Sequence, residues 1–174
     1  MGFTKQGLLH YFDSKEKLYS AILQRISDDF QNQQTRTKET SKKPIEHLKQ
    51  FFASLAEPTD TNIRRVRLLV RELLDNNTRV KKTENWYLSG LLAHLIDMVK
   101  AIHTLQTLSD EDALLLAYQL LGAVNYFLIS PATLTGFFGE DYFEKMSANF
   151  STETNSLIDG RAHKHSEVSK TRIN

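Results

Sequence analysis

An all-α fold is what this sequence predicts, on three observations. Apolar residues recur at three- and four-residue steps through almost the whole chain, the period of a helix face rather than of a strand. No run alternates apolar with polar residues, and no Asn-Gly pair marks a hairpin. The only prolines, Pro44, Pro58 and Pro131, fall where a helix is due to begin or stop. With 40% of 174 residues hydrophobic, the chain can bury a core.

Taken in order, a short first helix covers Thr4 to Phe12, with Thr4 as its cap. A turn at Asp13-Ser14 follows, and Asp13 and Glu16 have the spacing of a capping box for the second helix. Leu18, Tyr19, Ile22, Leu23, Ile26 and Phe30 form one stripe along it. From Gln31 to Lys43 the chain is wholly polar, the solvated end of that helix followed by a linker. This is the best domain boundary. Pro44 suits the first turn of the next helix, which buries Ile45, Leu48, Phe51, Phe52 and Leu55.

A helix from Asn62 to Asp75 then places Ile63, Val66, Leu69, Val70, Leu73 and Leu74 inside. Arg64, Arg65, Arg67 and Arg71 lie mostly on its solvated side. A long helix is expected from Thr83-Glu84 to Leu105. Ser109 starts another, with Asp110, Glu111 and Asp112 complementing the dipole of its first turn. From Ala113 to Ile129 it is apolar nearly all round, broken mainly by Gln119 and Asn125, and Ser130-Pro131 stops it. Tyr142, Phe143, Met146 and Phe150 mark a last helix reaching Leu157-Ile158, and the polar, basic chain after Gly160 is expected to fray.

The helix at 113–129 has no face suited to solvent. At about 25 Å it is short against about 30 Å of hydrocarbon, and its acidic start also argues against lipid. Burial against its own domain on one side and a two-fold partner on the other fits better, so a homodimer and no membrane association are expected.

Net charge is +1, but it is unevenly spread: 16 basic and 10 acidic residues stand up to Lys82, against 6 and 11 beyond. A basic N-terminal half is the side expected to meet a polyanion. The absence of cysteine excludes disulfides and thiolate chemistry, and suits a cytoplasmic location. No secretory leader pattern opens the chain. No phosphate loop, nucleophile elbow or His-Glu metal motif occurs, so no enzyme activity, cofactor or metal is expected. His94 with Asp97 or Met98 makes at most an isolated helical pair.

The most specific stretch is Gly2 to Tyr19, GFTKQGLLHYFDSKEKLY. Its Leu9-His10-Tyr11-Phe12 block and Ser14-Lys15-Glu16 block, with Gly2, Phe3, Thr4, Lys5, Leu8 and Leu18 at their spacings, resemble the recognition helix, turn and following helix of the TetR/AcrR family of transcription regulators. The stretch VRLLVRELLDN, ending at Asn76, is also similar to segments of that family's larger domain. The resemblance implies a partial helix-turn-helix DNA-binding domain at 1–36, a helical effector-binding and dimerisation domain at 44–160, and a tail at 161–174.

Residues at the N-terminus of a recognition helix face base edges in the major groove. Thr4, Lys5 and Gln6 take that place, with Leu9, His10, Tyr11 and Lys15 as further DNA contacts. The implied partners are double-stranded operator DNA, a small-molecule effector, and a second copy joined through the helices at 110–129 and 141–158. Phe51, Trp86, Tyr87, Tyr118, Tyr126 and Phe127 are candidates to line the effector cavity, though each also suits plain core filling. Two helices precede the recognition helix in the family and are absent from this sequence. The chain by itself is therefore expected to bind DNA poorly. It then serves either as a dimerising interaction protein, or as a regulator whose true start lies upstream of Met1.

Overall fold

A computed structural model of the chain describes residues 15–40, 43–75 and 89–171. Over these residues the protein is helical throughout, with no strand. The helices are α1 (Lys15–Thr40), α2 (Pro44–Ala56), α3 (Asp60–Asp75), α4 (Ser89–Lys100), α5 (Asp110–Ile129), α6 (Pro131–Phe138) and α7 (Glu140–Thr171). A 3-10 turn, His103–Leu105, lies between α4 and α5. The expected helix at Thr4–Phe12 falls outside the described residues.

The second helix of the chain runs further than its apolar stripe. Leu23, Ile26 and Phe30 are buried, and α1 continues through the polar stretch to Thr40. Gln, Arg, Lys and Glu in this stretch have good helix propensity, which favours its continuation as a helix. Ile22 lies on the outer edge of the stripe and is exposed.

The centre of the fold is α2, which packs on α1, α4, α5 and α7. Pro44 occupies its first turn, where the missing N–H costs nothing. Leu48, Phe51, Phe52 and Leu55 are buried as the spacing requires, and the two phenylalanine rings meet edge to face at 5.6 Å.

Its C-terminal carbonyls are satisfied by Asn62 of α3. The Asn62 side-chain amide donates to the carbonyls of Ser54 and Glu57, both at 3.0 Å, so a buried polar residue locks the α2–α3 corner. Thr59 caps α3 by accepting from the Asn62 backbone N–H at 3.2 Å.

A second polar tie joins α2 to α7. Lys49 Nζ donates to Asp159 at 2.8 Å and to Glu46 at 3.1 Å. The hydrogen bond to Asp159 holds the lysine pKa above its ordinary value, against an opposing effect of burial and with help from Glu46. A lysine pKa raised by folding stabilises the native state at all pH values below the unfolded pKa. That contribution is lost as pH rises through the folded one. Asp159→Asn is expected to cost about 0.5–1 kcal/mol in urea unfolding at pH 7, because the pair is partly exposed. The difference from the parent chain should shrink toward zero above the lysine's folded pKa. An equal difference on both sides of that pKa would contradict the assignment.

Three features differ from the sequence expectation. The helix expected to reach Leu105 ends at Lys100, and Ile102 is extended with ψ 118°. Ile102, Leu105 and Leu108 are all buried, so their three-residue spacing mimics an α-helix while following a tighter turn. Next, Pro131 both stops α5 and starts α6, whose break from α7 is Gly139 at φ 88°, a conformation glycine adopts without steric cost. Finally, the segment after Gly160 is not frayed: α7 continues to Thr171, with Ala162 buried and His165 hydrogen-bonded to Thr107 at 3.0 Å.

α5 begins as expected, with the Ser109 side chain accepting from the Asp112 N–H at 3.2 Å. The helix is 20 residues long, so at about 30 Å its length and composition are sufficient to cross a membrane, correcting the shorter estimate. One side of it packs into the protein core, burying Ala113, Leu116, Ala117, Leu120, Val124, Phe127 and Leu128. No other described helix is long and apolar enough to span.

Candidate functional site

An apolar cavity of about 150 Å³ lies between α3, α4 and α5, with α1 and α2 at one end. It exists because the stripes of three helices converge without filling the space. α3 contributes Val66, Leu69 and Leu73, α4 contributes Leu91 and Leu92, and α5 contributes Tyr118, Leu121, Val124 and Asn125. Leu55 of α2 and Phe30 of α1 close the inner end. Gly122 leaves the α5 backbone bare on the wall, and an added Cβ there would meet nothing within 4 Å.

The polar groups are few. Asn62 and Arg65 stand at the α1 end, and Asn125 lies on α5. Arg65 Nη2 donates to Asp29 of α1 at 2.6 Å, and its guanidinium sits 6.0 Å from the centre of the Phe30 ring. Arg65 thus faces inward to α1, while Arg64, Arg67 and Arg71 are exposed. A lining of aliphatic side chains with a small polar minority suits an apolar, uncharged small molecule, since an ion entering it would lose its hydration. A volume of about this size has room for a ring the size of benzene.

The residues expected to line an effector cavity are dispersed. Tyr118 does stand at this one, half exposed at its rim. Phe51 is buried in the core against Phe52. Phe127 is stacked on Phe150 at 4.0 Å and Phe143 at 6.0 Å, holding α5 to α7. Tyr126 is 73% exposed and is not part of the cavity wall. Trp86 and Tyr87 lie outside the described residues.

Leu73 and Leu74, expected inside, are also exposed, Leu73 at the cavity rim and Leu74 in the last turn of α3. The aliphatic wall could not be singled out by residue type, because leucines that line a cavity and leucines that fill a core obey the same spacing. Tyr118, an expected lining residue, and Asn125, a polar break in an apolar helix, were the available signals.

Of the expected DNA contacts, Thr4, Lys5, Gln6, Leu9, His10 and Tyr11 lie outside the described residues. Lys15 is the first residue of α1. His94 turns its ring onto its own helix, Nδ1 lying 2.6 Å from the Gly90 carbonyl oxygen. Among the described residues no group of three metal-ligating side chains comes together.

A second surface feature lies on α5 to α7. Leu115, Tyr118 and Tyr126 follow one stripe of α5 and are exposed, as are Phe137 and Phe138 of α6 and Tyr142 and Leu157 of α7. Phe138 and Tyr142 stack on each other at 5.0 Å. Comparison with known protein families, curated proteins and solved structures finds no match.

Proposed function

We propose that this protein is a DNA-binding transcription regulator of the TetR/AcrR type, a cytoplasmic homodimer whose DNA affinity is controlled by a small-molecule effector. The observation that carries the proposal is the Gly2–Tyr19 stretch, with its Leu-His-Tyr-Phe and Ser-Lys-Glu blocks at helix-turn-helix spacing. Its continuation as α1 into a helical body that contains an apolar cavity supports the proposal. Thr4, Lys5 and Gln6 are assigned to base edges and phosphates, with Leu9, His10, Tyr11 and Lys15 beside them. Repression is the mode that the family resemblance implies.

The second copy is assigned to the exposed apolar side chains of α5, α6 and α7. Several large apolar residues concentrated on consecutive helices are more than a monomer usually leaves in water. A two-fold pairing would cover the same residues on both chains at once.

A gel-shift titration tests the DNA assignment. The protein, with any in-frame codons upstream of Met1 included, is titrated onto the DNA flanking its own gene at several salt concentrations. Sequence-selective binding that weakens steeply with salt is expected. Equal affinity for flanking and scrambled DNA would overturn the assignment.

A further inference from the structure

We propose that Asn125 is a specificity-determining residue of the apolar cavity, and that the cavity takes a small apolar molecule carrying one uncharged hydroxyl group. This inference rests on the reading of the cavity as the effector site. Asn125 interrupts an apolar stretch of α5, and asparagine is a poorer helix former than the leucines of that helix. Tyr118, Leu121, Gly122 and Asn125 stand at helical spacing, on the side of α5 that forms one wall of the cavity.

The polar groups at the α1 end are committed to the fold. Asn62 donates its amide hydrogens to the Ser54 and Glu57 carbonyls, at 3.0 Å each. Arg65 donates to Asn62 Oδ1 at 3.5 Å and to Asp29 at 2.6 Å, and the Asp29 carboxylate balances its charge. Asn125 is half-buried, and among the described residues its carboxamide has no hydrogen-bond partner. Two N–H donors and one carbonyl acceptor therefore remain at a wall built mostly of side chains such as Leu69, Leu91 and Val124.

That arrangement selects the chemistry of the occupant. A hydrocarbon would shut water away from the carboxamide and leave it unpaired, which weakens binding. An ion would lose its hydration against leucine and valine, with Arg65 already paired. A hydroxyl can donate to Oδ1 or accept from Nδ2, so it suits either orientation of the amide. Tyr118 also carries a hydroxyl, but its side chain is exposed at the rim, where water competes for it.

Toluene and phenol are the probes, because they are close in size and exchange a methyl for a hydroxyl. Calorimetry compares the parent chain, Asn125→Leu, Asn125→Ala and Tyr118→Phe at pH 7, where phenol is neutral. Leucine keeps the branched shape of asparagine and alanine favours a helix, so the far-UV helical signal should be unchanged. The phenol-to-toluene affinity ratio is expected to fall about three- to tenfold in both Asn125 variants, the scale of one net hydrogen bond. In Tyr118→Phe the ratio should stay at the parent value. A ratio unchanged in the Asn125 variants, or one that falls as far in Tyr118→Phe, would overturn the role of Asn125 and leave the cavity reading standing. Failure of the parent to bind either probe would overturn the cavity reading itself, and the role of Asn125 with it.

Discussion

Leu115→Asp combined with Tyr126→Asp is expected to leave the chain monomeric at micromolar concentrations where the parent chain is expected to dimerise. Both side chains are exposed in the single chain, at 55% and 73%, and neither contributes to its core. Their replacement should therefore leave the far-UV helical signal unchanged. In a two-fold pairing each substitution appears twice, placing four carboxylates where apolar surface should meet. Burying even one unpaired charge costs several kcal/mol, and about 3 kcal/mol is already more than a hundredfold in association. Sedimentation velocity across concentrations is the measurement. A parent chain that is monomeric at tens of micromolar, or a double variant that still dimerises, would remove the proposed interface.

The second large effect is expected at Phe52. Its side chain is fully buried on α2, the helix that touches α1, α4, α5 and α7, and it meets Phe51 edge to face. Phe52→Ala removes a large side chain at a point where four helices constrain relaxation, so a cavity persists. A loss of about 3–5 kcal/mol is expected in urea unfolding. At about 2–4 °C per kcal/mol for a chain of this size, the melting temperature should fall by roughly 10 °C. Parent and variant must be compared at one protein concentration, since dimerisation would add concentration-dependent stability to both. A loss below 1 kcal/mol would mean that α2 is not the centre of the core.

The helical class and the central helices were legible because their signals are local. Pro44 and the Ser109–Asp112 start fix where α2 and α5 begin, and the stripe from Leu48 to Leu55 faces inward as its spacing requires. Less legible were the places where a helix period and another structure coincide. Ile102, Leu105 and Leu108 keep a helical spacing through a 3-10 turn, which hid the end of α4. Pro131 reads as a stop because its ring and missing N–H end α5, yet its fixed φ also suits the first turn of α6.

The polarity of the tail after Gly160 predicts fraying, because few of its side chains suit a core. Ala162 is buried there and His165 is tied to Thr107, and the helix continues through this stretch to Thr171.

The cavity was the least legible part. Aromatic residues were the natural candidates for its wall, but Phe127 is occupied by the Phe143 and Phe150 rings, and Tyr126 faces outward. The wall is made of leucines and valines from three helices, and only the tertiary arrangement distinguishes them from core. Arg65 shows the same limit. It belongs to an arginine-rich face by sequence, and only the position of α1 turns it inward onto Asp29.

Selection of bound sequences from a random duplex library tests the central claim most directly. The protein, again with any in-frame upstream codons, is used as bait, and the enriched DNA is sequenced. A two-fold dimer that presents one recognition helix per copy should enrich an inverted repeat. Its half-sites should lie about one helical turn apart, or a multiple of that. Ala substitutions at Thr4, Lys5 and Gln6 together should abolish the enrichment. A library that stays unenriched, or one in which the triple variant selects the same repeat, would contradict the account.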